Sequence, residues 1–366
     1  MPNTIQRIGV LTGGGDCPGL NAVIRAVTKS AIFRYHLQVF GIEDGFLGLL
    51  ENRIHPLTSN DVSNILTLGG TILGSSNKAN PAKFCVGKDP QGKPVFEDLT
   101  DLCMRNLRRH ELDALVVIGG DGTMSGAANF VTQGVNCIGV PKTIDNDLEG
   151  TDVTFGFATA VNTATEALDK IHTTAASHHR AMVVELMGRN AGWLTLHSGI
   201  ASGADVILIP EIPFDLGKVC SIVVDRSRHG KRFTILAVSE GARPAGGQQI
   251  VDRVDPTSPD PIRLGGVGKF VAEEIEKRTE IETRCTVLGH VQRGGSPVPS
   301  DRVLATQFGH AALEALVAGK QNRLIVQRNG VVTDADLLAS ANKQRLVTTD
   351  HPLLLAARDV GTGFGD

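Results

Sequence analysis

Two aspartates stand two positions apart in Pro141-Lys142-Thr143-Ile144-Asp145-Asn146-Asp147. In extended backbone, residues i and i+2 face the same side, so Asp145 and Asp147 can share one cleft. Phosphoryl transfer to an alcohol uses such a pair: one carboxylate accepts the hydroxyl proton and the other helps position Mg2+. Upstream, Gly119-Gly120-Asp121-Gly122-Thr123 opens its backbone N–H groups to phosphate. Asp121 adds a carboxylate for Mg2+, which prefers one or two carboxylates plus phosphate oxygens. Gly13-Gly14-Gly15-Asp16, followed by Pro18-Gly19 and Asn21, is a second glycine loop before a helix-compatible stretch. It is not a Walker A loop, because no Gly-Lys-Ser/Thr follows. Each motif has a plain alternative: a tight glycine turn, a solvated aspartate, a helix-capping pair. A capping pair at 145 and 147 leaves the two upstream glycine loops unexplained.

A second group is cationic: Arg180, Arg189, Arg284, His290 and Arg293. Guanidinium forks match phosphate oxygens, although each arginine alone reads as a solvated or paired surface residue. His178, His179 and His197 read as structural. The net charge of −3 excludes a broad basic field for nucleic acid or an anionic membrane. A site for anionic substrates must then be local, built from particular Arg, Lys and backbone N–H groups.

The elements that must hold these residues are short apolar runs at 7–12, 37–42, 112–118, 136–140, 182–186, 206–209, 233–238 and 285–288. Helix-length segments separate them, beginning with 20–32. This alternation predicts βαβ units and mainly parallel sheets, with ligands at the carboxyl ends of the strands. One sheet of more than about ten strands is unusual, so an α/β fold of two lobes is expected, each a mainly parallel sheet flanked by helices. The length of 366 residues, with 41% hydrophobic and 20% charged residues, suits a two-domain globular chain. Residues 252–264, rich in Pro, Asp and Arg, read as a surface loop. None of the six cysteines makes a CxxC pair, so neither a zinc site nor a redox motif is indicated. Cys103 and Cys137 read as core residues. No apolar run approaches the roughly 18 residues of a membrane span, and residues 1–12 lack a signal-peptide pattern; a cytoplasmic location is expected.

GGDCPGLN, GGDG, PKTIDND, MGR and LGHVQRGGSP occur in that order between Ile8 and about Ala305. Together they resemble the 6-phosphofructokinase family. The resemblance implies a Mg2+-requiring enzyme that moves the γ-phosphoryl group of ATP to the 1-hydroxyl of fructose 6-phosphate, a step of glycolysis. It implies two lobes with the active site between them: 1–156 and 292–345 for the donor, 157–291 and 346–366 for the sugar phosphate. It also implies a homotetramer in which subunits lend arginines to each other's sites. Asp145 then corresponds to the proton acceptor, with Thr143 and Arg189 as the other catalytic positions. Asp121 and Asp147 correspond to the metal carboxylates. Gly14, Gly15, Asn77, Lys78, Gly120, Asp121, Gly122, Thr123 and Lys142 fall on the donor site. Thr143, Asp145, Met187, Gly188, Arg189, Glu240, His290 and Arg293 fall on the sugar-phosphate site, with Arg180 and Arg284 supplied across the subunit interface.

The chain departs from the family pattern at three places. Gly122, after GGD, leaves room for a nucleotide, whereas Lys142, before TIDND, is the residue of pyrophosphate users. Gly122 carries more weight, because a side chain there would exclude ATP outright, and Lys142 can ease metaphosphate-like charge with either donor. Asn77 stands where many relatives have an arginine on the donor phosphates, and Lys78 follows as a point charge without a fork. The effector pocket matches at Arg25, Lys29, Asp205 and Lys231, but Ser59 replaces an arginine. The loop at 243–264 and the tail after 321 are long relative to compact bacterial members. Three other readings stay open: a reversible pyrophosphate-dependent enzyme, an NAD or lipid kinase resting on GGDGT alone, and a non-catalytic regulatory subunit, which would be expected to lose a carboxylate.

Overall fold

The computed structural model describes residues 5–258, 260–341 and 343–366. Residues 1–4, Pro259 and Asn342, which fall within the terminal, loop and tail segments discussed above, lie outside the described residues. The first half runs β1 (Arg7–Thr12), α1 (Leu20–Tyr35), β2 (Gln38–Ile42), α2 (Phe46–Glu51), β3 (Ile54–Leu57), β4 (Phe84–Lys88), β5 (Pro94–Glu97), α3 (Thr100–Arg109), β6 (Ala114–Gly119), α4 (Asp121–Thr132) and β7 (Asn136–Pro141). There follow α5 (Phe157–His178), β8 (Ala181–Leu186), α6 (Trp193–Ala201), β9 (Val206–Leu208), α7 (Leu216–Arg228) and β10 (Thr234–Ser239). The chain ends with β11 (Val251–Val254), β12 (Ile262–Leu264), α8 (Val267–Thr279), β13 (Thr283–Val287), α9 (Pro299–Val317), β14 (Arg323–Arg328), β15 (Val331–Asp336), α10 (Leu337–Ser340) and α11 (Pro352–Asp359).

Seven strands form one sheet in the order β15-β14-β7-β6-β1-β2-β3, and four form another in the order β13-β8-β10-β9. Pairing is parallel within the second sheet and in the centre of the first; β3 and β15 add antiparallel edges. Parallel neighbours need long crossovers, and these supply helices to both faces, so β1, β6 and β7 are buried almost throughout. Alternate residues divide between the two faces. Val10, Val116 and Ile138 pack with α1 and α9, while Leu11, Leu115, Val117 and Cys137 pack with Phe46 and Phe130 of α2 and α4. The first of these cores continues into the second sheet through α5, α6, Val184, Leu186 and Ile235. Every Val, Leu or Ile that is fully buried contributes about 1.5–3 kcal/mol, so one continuous core holds the two sheets together. Cys103 and Cys137 are fully covered in the core on the α2–α4 face of the large sheet.

Residues 252–264 are not a simple surface loop. β11 and β12 pair as an antiparallel hairpin. The Pro- and Asp-rich stretch supplies only its turn, where Asp255 accepts hydrogen bonds from the Thr257 N–H and hydroxyl at 3.1 and 2.6 Å. That turn chemistry frees Val251–Val254 and Ile262–Leu264 to pair. The long tail likewise has structure, with β14 and β15 extending the large sheet.

Candidate active site

Register brings the glycine loops and the aspartates together. Thr12 lies opposite Ile118, and Gly119 opposite Pro141, so β1, β6 and β7 finish at one level. Residues 13–16, 120–123 and 142–147 leave the sheet side by side, with the Gly13 N–H donating to Ile118 O and the Lys142 N–H to Gly119 O, both at 2.9 Å. In the second sheet Leu186 lies opposite Ser239, and Glu185 opposite Val287. Residues 187–189, Glu240 and the turn at 288–293 therefore emerge together. These two sets of strand ends border a cleft of about 770 Å3. Its walls include Gly14, Gly15, Asn77, Asp145, Met187, Arg189, Glu240, His290 and Arg293.

The glycine loops are shaped for close approach. A Cβ on Gly13 would sit 2.7 Å from Thr123 Cγ2, and one on Gly15 would sit 2.9 Å from Arg293 Nη1. Gly122 is different: a Cβ there meets nothing within 4 Å. Packing does not demand this glycine, and the space beside it is open at the amino end of α4, where free N–H groups and the helix dipole favour anions. Lys142 is buried, and its ammonium donates to Gly15 O. Burial pulls its pKa down. The hydrogen bond to Gly15 O holds its amino group beneath the first glycine loop.

Asp145 is half-buried, and its Oδ1 is covered with no hydrogen-bond partner among the described residues. Burial raises its pKa, while Arg293 and Lys142 pull it back down. The Asp145 N–H donates to Thr143 Oγ1 at 3.0 Å, and the Thr154 hydroxyl donates to Thr143 O at 2.7 Å. Asn146 takes a left-handed conformation (φ 52°), and its side-chain oxygen accepts from the Thr154 N–H at 2.9 Å. Asp147 is pushed up to about 7, first by burial and then by the charges of Asp145 and Asp121. Three carboxylates thus share one field. Among the described residues there is no group of three or more His, Cys, Asp and Glu able to cage a metal. Two carboxylates without a cage suit Mg2+ that arrives with phosphate oxygens and water.

On the sugar-phosphate side, Arg189 is gripped by both oxygens of Asp260, with the second contact at 2.8 Å. Lys78 pairs with Asp255 at 2.9 Å and does not line the cleft. Both partners come from the turn of the β11–β12 hairpin, whose Asp252, Arg253, Ile262, Arg263 and Leu264 complete the cleft wall. Sequence reading missed these residues; their only local signal was charge within a Pro-rich segment. Gly188, in a positive-φ conformation (133°), accepts from the Gly241 N–H at 3.1 Å and the Ser239 hydroxyl. Gly120 caps α4, and Asp121 and Thr123 occupy its first turn.

Arg180 and Arg284 do not line the cleft. Both pair with Glu282, at 2.9 and 2.6 Å, and Arg284 also with Glu276 at 3.6 Å. Arg180 opens instead onto a smaller cavity of about 240 Å3 that includes Lys231 but not Arg25, Lys29 or Asp205. Asp205 is paired with Arg226 at 2.7 Å, a cation that the sequence reading did not single out. Arg25 and Lys29 lie on α1. The Ser59 carbonyl accepts from the Ser63 hydroxyl at 2.6 Å.

A sequence model of the phosphofructokinase family matches residues 7–316. An ATP-dependent 6-phosphofructokinase 2 of Clostridium perfringens is 49% identical over 369 residues, covering 100% of both chains. A phosphofructokinase structure from Saccharomyces cerevisiae superposes with a TM-score of 0.75 at 31% identity, covering 92% of this chain and 45% of the yeast chain. A pyrophosphate-dependent phosphofructokinase from Marinobacter aquaeolei superposes with a TM-score of 0.80 at 21% identity, covering 98% of this chain and 88% of that one. At that identity the last match speaks for the fold alone.

Proposed function

The chain belongs to the phosphofructokinase family, and on that premise we propose that it transfers the γ-phosphoryl group of ATP to the 1-hydroxyl of fructose 6-phosphate. One observation carries the reading. The registered ends of β1, β6 and β7 set two glycine loops, the open position at Gly122 and the 142–147 segment side by side, with Gly14, Gly15 and Asp145 on the cleft wall. The fourfold set of phosphate, metal, acid–base and sugar positions is more than an NAD or lipid kinase reading explains. A non-catalytic subunit is disfavoured by the retention of Asp121, Asp145 and Asp147. The pyrophosphate alternative rests on Lys142, whose ammonium is committed to Gly15 O, while the full-length relative from Clostridium perfringens is named ATP-dependent.

In this reading Asp145, on the cleft wall, accepts the proton of the sugar 1-hydroxyl. A carboxylate with raised pKa is a stronger base, and the charges of Arg293 and Lys142 oppose the upward push of burial. Met187, Gly188, Arg189, Glu240, His290 and Arg293 orient fructose 6-phosphate, and Arg189 exchanges Asp260 for phosphate oxygens. Gly14, Gly15, Asn77, Gly120, Gly122, Thr123 and Lys142 seat the donor, joined by Lys78 only once it leaves Asp255, and Thr143 holds the transferring group. Asp121 and Asp147 would hold Mg2+, which would neutralise charge on the phosphate oxygens.

The donor lobe is assigned to 1–156 and 292–345, and the sugar-phosphate lobe to 157–291 and 346–366. Arg180 and Arg284, turned away from their own chain's cleft, are available to a neighbouring subunit, which supports a homotetramer with shared sites. In that assembly Arg25, Lys29, Asp205 and Lys231 would form an effector site from more than one chain. A cytoplasmic location belongs to the same proposal, and among the described residues no helix is long and apolar enough to cross a membrane. The test is formation of fructose 1,6-bisphosphate from fructose 6-phosphate and Mg2+, with ATP and pyrophosphate supplied in parallel. Turnover with ATP supports the reading; turnover with pyrophosphate alone overturns the donor assignment.

A further inference from the structure

The tail between α10 and α11 threads through the catalytic loop. Gln344 and Leu148 form an isolated antiparallel bridge. The Gln344 Nε2 donates to Asp147 Oδ2 at 3.1 Å, and its Oε1 accepts from Asn190 Nδ2 at 3.2 Å. The Arg345 N–H donates to Asp147 O at 2.8 Å. Its guanidinium donates twice to Asn146 O, from Nη2 at 2.9 Å and Nε at 3.3 Å. The same guanidinium lies 4.6 Å from the centre of the Trp193 ring, and the Trp193 indole N–H donates to Arg345 O at 2.8 Å. Two residues further on, the Val347 N–H donates to Glu211 Oε1 at 2.9 Å, and Glu211 also accepts from the Gly192 N–H at 3.0 Å.

These contacts have a direction. On one side they end at Asn146 and Asp147, beside the Asp145 base. On the other they end at Asn190, which directly follows the Met187-Gly188-Arg189 segment of the sugar-phosphate side, and at Trp193 three residues later. Asn146 is in a left-handed conformation, which persists at a functional site only when its surroundings hold it. Arg345 holds its carbonyl, and Gln344 holds the next carboxylate. We propose that Gln344 and Arg345 are positioning residues for phosphoryl transfer. They fix the Asn146–Asp147 peptide and the Asp147 carboxylate, and tie both to the sugar-phosphate side through Asn190 and Trp193. The proposal rests on the function proposed above, and neither residue is assigned a contact with substrate. Removing an outer partner of a metal-binding carboxylate typically costs about 10–100-fold in metal affinity.

Trp193 is the only tryptophan in the chain, so its fluorescence reports this junction. Gln344 is exposed, and Gln344→Leu should leave the unfolding temperature unchanged; Arg345→Lys keeps the charge but loses the double contact on Asn146 O. The probe is Mg2+ titrated against protein saturated with a non-hydrolysable ATP analogue, read by Trp193 fluorescence. The Mg2+ dependence of the rate and the KM for fructose 6-phosphate are measured alongside. Gln344→Leu should raise the Mg2+ midpoint about tenfold in fluorescence and in rate, with the sugar KM changed less than about twofold. Arg345→Lys should lower kcat about tenfold at saturating substrates, with altered Trp193 emission. Wild-type Mg2+ midpoints in Gln344→Leu, or losses that track a lowered unfolding temperature in both variants, would overturn the proposal. A wild-type protein that fails to phosphorylate fructose 6-phosphate would overturn the function reading instead, while the fluorescence titration still decides whether Gln344 controls Asp147.

Discussion

Replacing Glu240 by glutamine should stabilise the substrate-free protein, and only above a definite pH. Glu240 follows β10, where its N–H donates to Leu186 O at 2.8 Å. Burial, and then the charge of Asp145, push its carboxyl from the ordinary 4.5 up to about 7, while Arg293 pulls the other way. Between those values the folded chain keeps a proton that the unfolded chain has released. The folded state is therefore penalised progressively as pH rises from 4.5 towards 7, and the loss is complete above that. The gap between the two values corresponds to about 3 kcal/mol at full development. Glu240→Gln does not titrate and escapes this loss. Denaturant unfolding followed by Trp193 fluorescence, run from pH 4.5 to 8 without substrates, measures the difference between variant and wild type. Using the difference cancels carboxylates common to both proteins, including Asp147. The expected result is near equality at pH 4.5 and a variant more stable by about 3 kcal/mol at pH 8. The sugar KM should rise, since stability at such a site is gained at the expense of binding. A difference that stays constant across the whole range would refute the reasoning.

Two other substitutions test the donor and sugar-phosphate positions. Gly122→Asp adds a side chain where a Cβ meets nothing, so the unfolding free energy should shift by no more than about 0.5 kcal/mol. The KM for ATP should nevertheless rise at least about tenfold, a change of about 1.4 kcal/mol; unchanged ATP kinetics would show that the donor does not lie beside this position. Asp260→Asn releases Arg189 from a half-exposed ion pair of the kind worth up to about 1 kcal/mol. The KM for fructose 6-phosphate should then fall by up to about fivefold, and an unchanged or higher value would show that Asp260 does not compete with the sugar phosphate.

The sequence reading reached as far as local chemistry and strand order reach. The apolar runs at 7–12, 112–118 and 136–140 became β1, β6 and β7 within a residue or two, because strands buried on both faces leave little else for such runs to do. Glycines and aspartates after those runs were legible because phosphate chemistry needs those residue types at strand ends. The β11–β12 hairpin was hidden by the composition of its own turn, and the pairing of Asp260 with Arg189 spans 71 positions. Arg345 and Gln344 were invisible for the same physical reason. Their partners Asn146, Asp147, Asn190 and Trp193 are distant in sequence, and no periodicity or motif encodes a tail that returns to the 146–147 segment. Likewise, Lys142 was recognisable as a cation, but its hydrogen bond to Gly15 O follows from tertiary packing of β1 beside β6 and β7.

The most direct test of the central claim, that Asp145 takes the proton of the attacking hydroxyl, is the steady-state kinetics of Asp145→Asn beside calorimetric binding of ATP and fructose 6-phosphate. Asparagine keeps the shape of the side chain and the Asp145 N–H contact with Thr143 Oγ1, so both substrates should bind within about twofold of wild type while kcat falls about 100- to 10,000-fold. Wild-type turnover in this variant would contradict the claim.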